Sequence, residues 1–136
     1  MTSAVFRRTV NHKNEGMKKL LSSKALVEKI TGFLEEKKAI DIEVINIQEV
    51  TILADYFVIC NGTSTTHIKA IADELEFKMA EAGYKYLHKE GYNSARWILM
   101  DYGDIVVHIF HEEDRSFYNL ERLWSGNAAS RRQSKE

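Results

Sequence analysis

Residues Trp97–Phe110 read WILMDYGDIVVHIF, two apolar runs joined by a short polar turn. Tyr102-Gly103, with an aspartate on each side, has the composition of a β-hairpin loop. A two-residue loop there sets Asp101 opposite Asp104, Leu99 opposite Val106 and Trp97 opposite His108. Side chains alternate between faces along a strand. One face of the ribbon is then Ile98, Met100, Ile105, Val107 and Ile109, aliphatic throughout, and reads as core. The other carries Trp97, Leu99, Asp101, Asp104, Val106, His108 and Phe110. A strand face that only needs burial is rarely built from a tryptophan, two acids and a histidine. A slip of one residue in either strand would exchange the two faces.

Upstream, Ser22 or Ser23 can cap a first helix running to about Lys38, with Leu26, Ile30, Phe33 and Leu34 on one apolar stripe. Gly32 lies inside it and weakens it slightly. Asp41–Ile47 alternates and is rich in β-branched residues, the pattern of a strand. Gln48–Ala54 is the connection to Tyr56–Cys60, a short continuous apolar run with the signature of a strand covered on both faces. Gly62-Thr63-Ser64 then turns into a second helix over about Thr65 to Ala82, with Ile68, Ile71, Ala72, Leu75 and Met79 as its buried stripe and Gly83 closing it. Tyr84–His88 reads as a brief strand and Lys89–Ala95 as a polar loop. After the hairpin, His111–Trp124 reads as a third helix, with Phe117, Leu120 and Trp124 at helical spacing and acids in its first turn. The order α β β α β β β α with an antiparallel hairpin implies a mixed sheet of about five strands flanked by helices. The fold class is α/β (α+β mixed), in a single domain.

The 136 residues suffice for one such domain. Net charge is −1, so no global electrostatic argument favours nucleic acid or an anionic membrane. The one cysteine, Cys60, excludes an intramolecular disulfide framework and fits a reducing compartment. No apolar run approaches the roughly 18 residues of a membrane helix. Residues 1–19 read as a disordered extension; within them Met1–Gly16 is polar and aperiodic, with a short targeting peptide or a working start at Met17 as other readings. Residues 126–136 read as a flexible tail, leaving 20–125 as the domain.

Several residues could carry chemistry. Asp101 and Asp104 could hold a metal or act as an acid/base pair, although aspartates beside a turn glycine are also ordinary turn formers. Gly62-Thr63-Ser64 could cradle a phosphate on a helix N-terminus, but it lacks the spacing of a nucleotide loop and a plain cap accounts for it. The histidines at 12, 67, 88, 108 and 111 form no zinc motif. His67, in the first turn of a helix, reads as a capping or packing residue. A Ser64–His108–Asp101 trio lacks any local nucleophile elbow. Trp97 is the best binding candidate, because tryptophan is enriched at interface hot spots.

Three separated stretches, ADYFVICNGTSTTH (Ala54–His67), the hairpin, and RSFYNLERLW (Arg115–Trp124), resemble the Iojap family, also called ribosome silencing factors, in order and spacing. The resemblance spans about Leu20 to Ser125. It implies a nucleotidyltransferase-like topology without transferase activity or cofactor. It also implies binding to the large ribosomal subunit through ribosomal protein L-fourteen, which blocks joining of the small subunit and damps translation when nutrients are short. A cytosolic location and a homodimer when free are implied as well. One departure is His67, where the family commonly has Gln. On this reading Trp97 anchors the partner, Leu99 adds apolar contact, as does Met100 if the sheet edge leaves it exposed, Asp101 and Asp104 pair basic groups, and His108 belongs to the same face. No metal site, membrane contact or sequence-specific nucleic-acid binding is expected. The rival readings are a metal-dependent nucleotidyl or phosphoryl transferase, for which no Asp-x-Asp/Glu follows the glycine turn, and a homodimeric adaptor unrelated to ribosomes.

Overall fold

Ser22 Oγ accepts the Ala25 N–H at 3.2 Å and starts helix α1 (Ser23–Glu36), which buries Leu26, Val27, Ile30 and Leu34. The computed structural model describes residues 21–114. Helix α1 ends with Lys38 at a positive φ of 59°, while Lys38 N–H and Ala39 N–H return to the carbonyls of Glu35 and Leu34. That is a left-handed helix stop, built here without glycine.

Strand β1 (Ile40–Asn46) leads through a connection to β2 (Tyr56–Gly62), longer than the apolar run suggested. Helix α2 (Thr65–Glu81) is capped by Ser64, whose Oγ accepts the His67 N–H at 3.0 Å, and buries the stripe Ile68, Ile71, Ala72, Leu75 and Met79. It closes at Gly83, φ 95°, with Tyr84 N–H bonded to the Met79 carbonyl. Three strands follow: β3 (His88–Glu90), β4 (Trp97–Asp101) and β5 (Ile105–His111). The brief strand expected over Tyr84–His88 is corrected to one that shares only His88 with it, because the pairing with β4 runs from His88 opposite Asp101 to Glu90 opposite Leu99. Lys89 is held by Glu76 of α2 at 2.8 Å and lies over the rings of Tyr86 and Tyr92, pinning this short edge strand to the helix layer.

The sheet order is β1-β2-β5-β4-β3, with β2 and β5 parallel and the other pairs antiparallel. This is the mixed five-stranded α/β architecture the sequence implied. Both helices pack on one face. Their stripes meet Val58 and Cys60 of β2, Ile98 and Met100 of β4, and Ile105, Val107 and Ile109 of β5 in a single cluster.

The hairpin register differs from the expected one. Trp97 lies opposite Phe110, Leu99 opposite His108 and Asp101 opposite Val106. The Tyr102 N–H reaches the Ile105 carbonyl, so the loop is Gly103-Asp104 and not Tyr102-Gly103. Gly103 takes the positive φ of 94° that the first position of a tight hairpin turn can require. The shift is two residues, and an even shift leaves every side chain on its expected face. A second correction concerns the end of the hairpin: His111 belongs to β5 and not to the third helix. Glu112–Asp114 are helical, and the rest of that expected helix, with Phe117, Leu120 and Trp124, lies outside the described residues, as do the N-terminal extension and the tail.

Two glycines have opposite roles. A Cβ on Gly32, inside α1, meets nothing within 4 Å. A Cβ on Gly91, φ 81°, would sit 2.1 Å from the Trp97 carbonyl oxygen. We expect Gly32→Ala to stabilise the domain by about 0.5–1 kcal/mol through lower helix entropy cost. Gly91→Ala should destabilise it by about 2 kcal/mol or more. Urea unfolding of the two variants checks both signs; a neutral Gly91→Ala would contradict the close approach.

Candidate functional site

The pleat that sends Ile98 and Met100 into the helix layer sends Trp97, Leu99 and Asp101 to the opposite side of β4. The register adds Val106, His108 and Phe110 from β5, Phe57, Ile59 and Asn61 from β2, and Ile45 from β1. Ile45, Ile47, Ala54, Ile59 and Phe110 are buried there, with Phe57, Trp97 and Val106 half-buried against them, and neither helix contributes to this cluster. The sheet thus carries two apolar faces, and only the first is covered by α1 and α2. At the two edges of the second face stand exposed acids, Glu43 on β1 and Glu90 on β3. His88 is hydrogen-bonded to Glu90 on that edge.

At the centre is an aromatic group. The Trp97 ring lies 4.9 Å from that of Phe110, and the His108 ring meets Phe57 nearly edge-on at 4.6 Å. Trp97 Nε1–H donates to His108 Nδ1 at 3.1 Å. Indole nitrogen can only donate, so His108 Nδ1 is the acceptor and the imidazole proton sits on Nε2. His108 is 3% exposed, and its Nε2 has no hydrogen-bond partner among the described residues. Burial pushes its pKa down to about 3 from 6.5, so the ring is neutral under ordinary conditions.

The expected contact residues divide on burial. Trp97 and Leu99 are half-buried on the open face and Asp104 is half-buried at the loop. Met100 has no exposure and packs in the helix-side core, so it offers nothing to a partner. His108 is likewise corrected from a surface contact to a buried support. Asp101 is buried at 8% exposure, and its Oδ1 accepts the Gly103 N–H at 2.7 Å. It shapes the turn, as aspartate before glycine often does. Asp101 and Asp104 are not cross-strand partners, and among the described residues no three metal-ligating side chains gather. The Asp104 carbonyl accepts the N–H groups of Asp55 and Tyr56, and Ser23 Oγ–H donates to Asp55 at 2.6 Å, so the loop is tied to β2 and to the start of α1.

The Ser64–His108–Asp101 trio is not assembled: each member serves a separate partner, the His67 N–H, Trp97 and the Gly103 N–H. The glycine turn is also occupied from within. His67 Nδ1 accepts the Thr63 N–H at 3.0 Å while Nε2 faces the Lys37 carbonyl at 2.8 Å, joining α2 to the end of α1. A Cβ on Gly62 would lie 2.9 Å from Ile68, so this glycine permits close helix packing.

Phe57 is a residue of this face that the sequence reading left in a central strand. Only the parallel pairing that sets it beside Val106 reveals its place, and no local signal encodes that pairing. Arg96, at the start of β4, grips Asp114 with Nε at 2.8 Å and Nη2 at 3.0 Å. That pairing holds the Asp114 carboxyl below its usual range and the guanidinium above its own.

A family model described as "Ribosomal silencing factor during starvation" matches residues 21–136. A protein of Halalkalibacterium halodurans named "Ribosomal silencing factor RsfS" is 40% identical over 104 residues, 76% of this chain and 89% of that protein. A Bacillus subtilis protein of the same name is 39% identical over 104 residues, 76% of this chain and 88% of that one. Among solved structures, a crystal structure of a Chromobacterium violaceum protein is similar with a TM-score of 0.74 and 31% identity, covering 76% of this chain and 87% of that one.

The depressed His108 pKa has a testable consequence. The unfolded ring titrates near 6.5 and the folded one near 3. Between those values the unfolded state carries the extra proton. The contribution is therefore complete above about pH 6.5 and falls by about 1.4 kcal/mol per pH unit as pH drops toward 3. Urea unfolding from pH 7 to pH 4 should show a shallower acid loss in His108→Asn than in wild type; equal slopes would contradict the buried neutral ring.

Proposed function

The chain belongs to the ribosomal silencing factor family, and on that premise we propose that it binds the large ribosomal subunit through ribosomal protein L-fourteen and sterically blocks joining of the small subunit. Repression would operate in the cytosol when nutrients are limiting, and the protein would act by occupancy and not by catalysis. The membership itself makes translation regulation and the ribosome its field of action.

The observation that carries the reading is the second sheet face. It presents Trp97, Leu99, Val106 and Phe57 half-buried, outside the helix-covered core, with Glu43 and Glu90 exposed at its edges. An aromatic centre with a polar rim is the anatomy of a protein interface. Acids at the rim favour a basic partner, and ribosomal proteins sit in an environment of phosphate that selects for basic residues. Trp97 is the proposed anchor and Leu99 its neighbour, with Asp104 as the acid at the loop. Among the described residues no helix is long and apolar enough to cross a membrane.

Sedimentation with separated subunits tests this. Wild type should travel with the large subunit alone and reduce its joining to the small one. Trp97→Ala should stay folded and lose on the order of 2 kcal/mol of binding, about thirtyfold in affinity. A wild-type protein that remains at the top of the gradient contradicts the proposal. A Trp97→Ala variant that folds and binds as wild type removes this face from it.

A further inference from the structure

We propose that His108 is the positioning residue of the docking face: buried and out of reach of any partner, it sets the orientation of Trp97 by accepting its indole N–H. This rests on the reading of Trp97 as the anchor.

The geometry supports a dedicated role. Trp97 and His108 are not opposite one another; His108 faces Leu99 and Trp97 faces Phe110. They are diagonal neighbours on one face, a separation that long aromatic side chains span. The 3.1 Å bond therefore forms only if the indole turns its nitrogen edge toward β5. Trp97 has two side-chain torsions. The Phe110 ring at 4.9 Å restrains the plane of the indole, and the bond to Nδ1 distinguishes that orientation from the flipped one. His108 is in turn held by Phe57 at 4.6 Å and by the strand pairings of β5 on both sides.

The arrangement carries a cost that a merely apolar core would avoid. With Nδ1 committed as acceptor, the proton must reside on Nε2, and among the described residues that buried N–H has no partner. An unmet buried donor is unfavourable, and a leucine or phenylalanine at position 108 would remove the penalty. Histidine at this position is accounted for by what Nδ1 does for Trp97. Pre-orienting an anchor lowers the ordering cost that binding must otherwise meet.

Four variants separate this role from simple packing, the fourth being Trp97→Phe combined with His108→Leu. His108→Asn places an acceptor oxygen near the Nδ1 position, His108→Leu fills space without an acceptor, and Trp97→Phe keeps an aromatic ring without the donor. Two readouts are taken: the indole N–H resonance of Trp97 in the free protein for each variant that keeps Trp97, and affinity for the purified large subunit for all of them, with thermal unfolding as a check of the fold. The expected result is that His108→Leu shifts the indole resonance toward its solvent-exposed value and weakens binding about fivefold to tenfold. His108→Asn should retain the bonded indole resonance and bind within about twofold of wild type. Trp97→Phe should bind equally well with His or Leu at 108, since there is no indole left to orient. Equal behaviour of the Asn and Leu variants, or an unmoved indole resonance in His108→Leu, overturns the proposal. If wild type fails to bind the subunit, the function reading falls with the docking half of this inference, while the indole resonance still decides whether His108 holds Trp97.

Discussion

The period of two in an extended chain commits each residue of β4 and β5 to one side of the sheet, and the rest of the molecule follows from that division. Ile98, Met100, Ile105, Val107 and Ile109 face α1 and α2 and are fully buried. Trp97, Leu99, Val106, His108 and Phe110 face the other way, where neither helix reaches. Hydrophobic burial thus secures the helix layer through one set of side chains and leaves the alternate set to be chosen for another purpose. A central parallel pair, β2 with β5, widens this second face by bringing Phe57 and Ile59 beside the hairpin.

The polar groups around the hairpin serve the fold as well. Asp101 spends its carboxylate on the Gly103 N–H, the Asp104 carbonyl fastens the turn to β2, and Asp55 receives the Ser23 hydroxyl. His67 bridges the glycine turn and the end of α1. In a phosphate-binding turn the backbone donors at a helix start point at the anion. Here His67 of the chain itself accepts the Thr63 N–H.

Much of this was legible in the sequence, for identifiable reasons. A cap at Ser22 or Ser23, a cap at Thr63 or Ser64, Gly83 as the helix stop and the buried stripe of α2 all follow from local rules, and the structure has each, with Ser22 and Ser64 as the caps. The division of the hairpin into two faces was legible too, because it depends only on parity. The register was not: Asp-Tyr-Gly-Asp admits two turn placements, and the one adopted puts Gly103 at the first loop position, where its positive φ is needed. Of the expected contact residues, Met100 fell to the same parity rule, since an even position on β4 faces the helices. His108 and Asp101 lie on the face opposite α1 and α2 but are buried, at 3% and 8% exposure. Depth is a property of the neighbours, Phe57, Trp97 and Phe110, and these come together only through long-range pairing. The end of β5 was misplaced because His111 pairs with Gly62 and binds Arg96, contacts with no local trace.

The central claim is that the face of the sheet opposite α1 and α2, and not the layer those helices form, meets the ribosome. A photo-crosslinking side chain placed at Leu99, compared with one at Phe77 on the exposed side of α2, tests it directly on intact large subunits. The account predicts a crosslink from position 99 to ribosomal protein L-fourteen and none to that protein from position 77. A crosslink to it from position 77 alone would contradict the account.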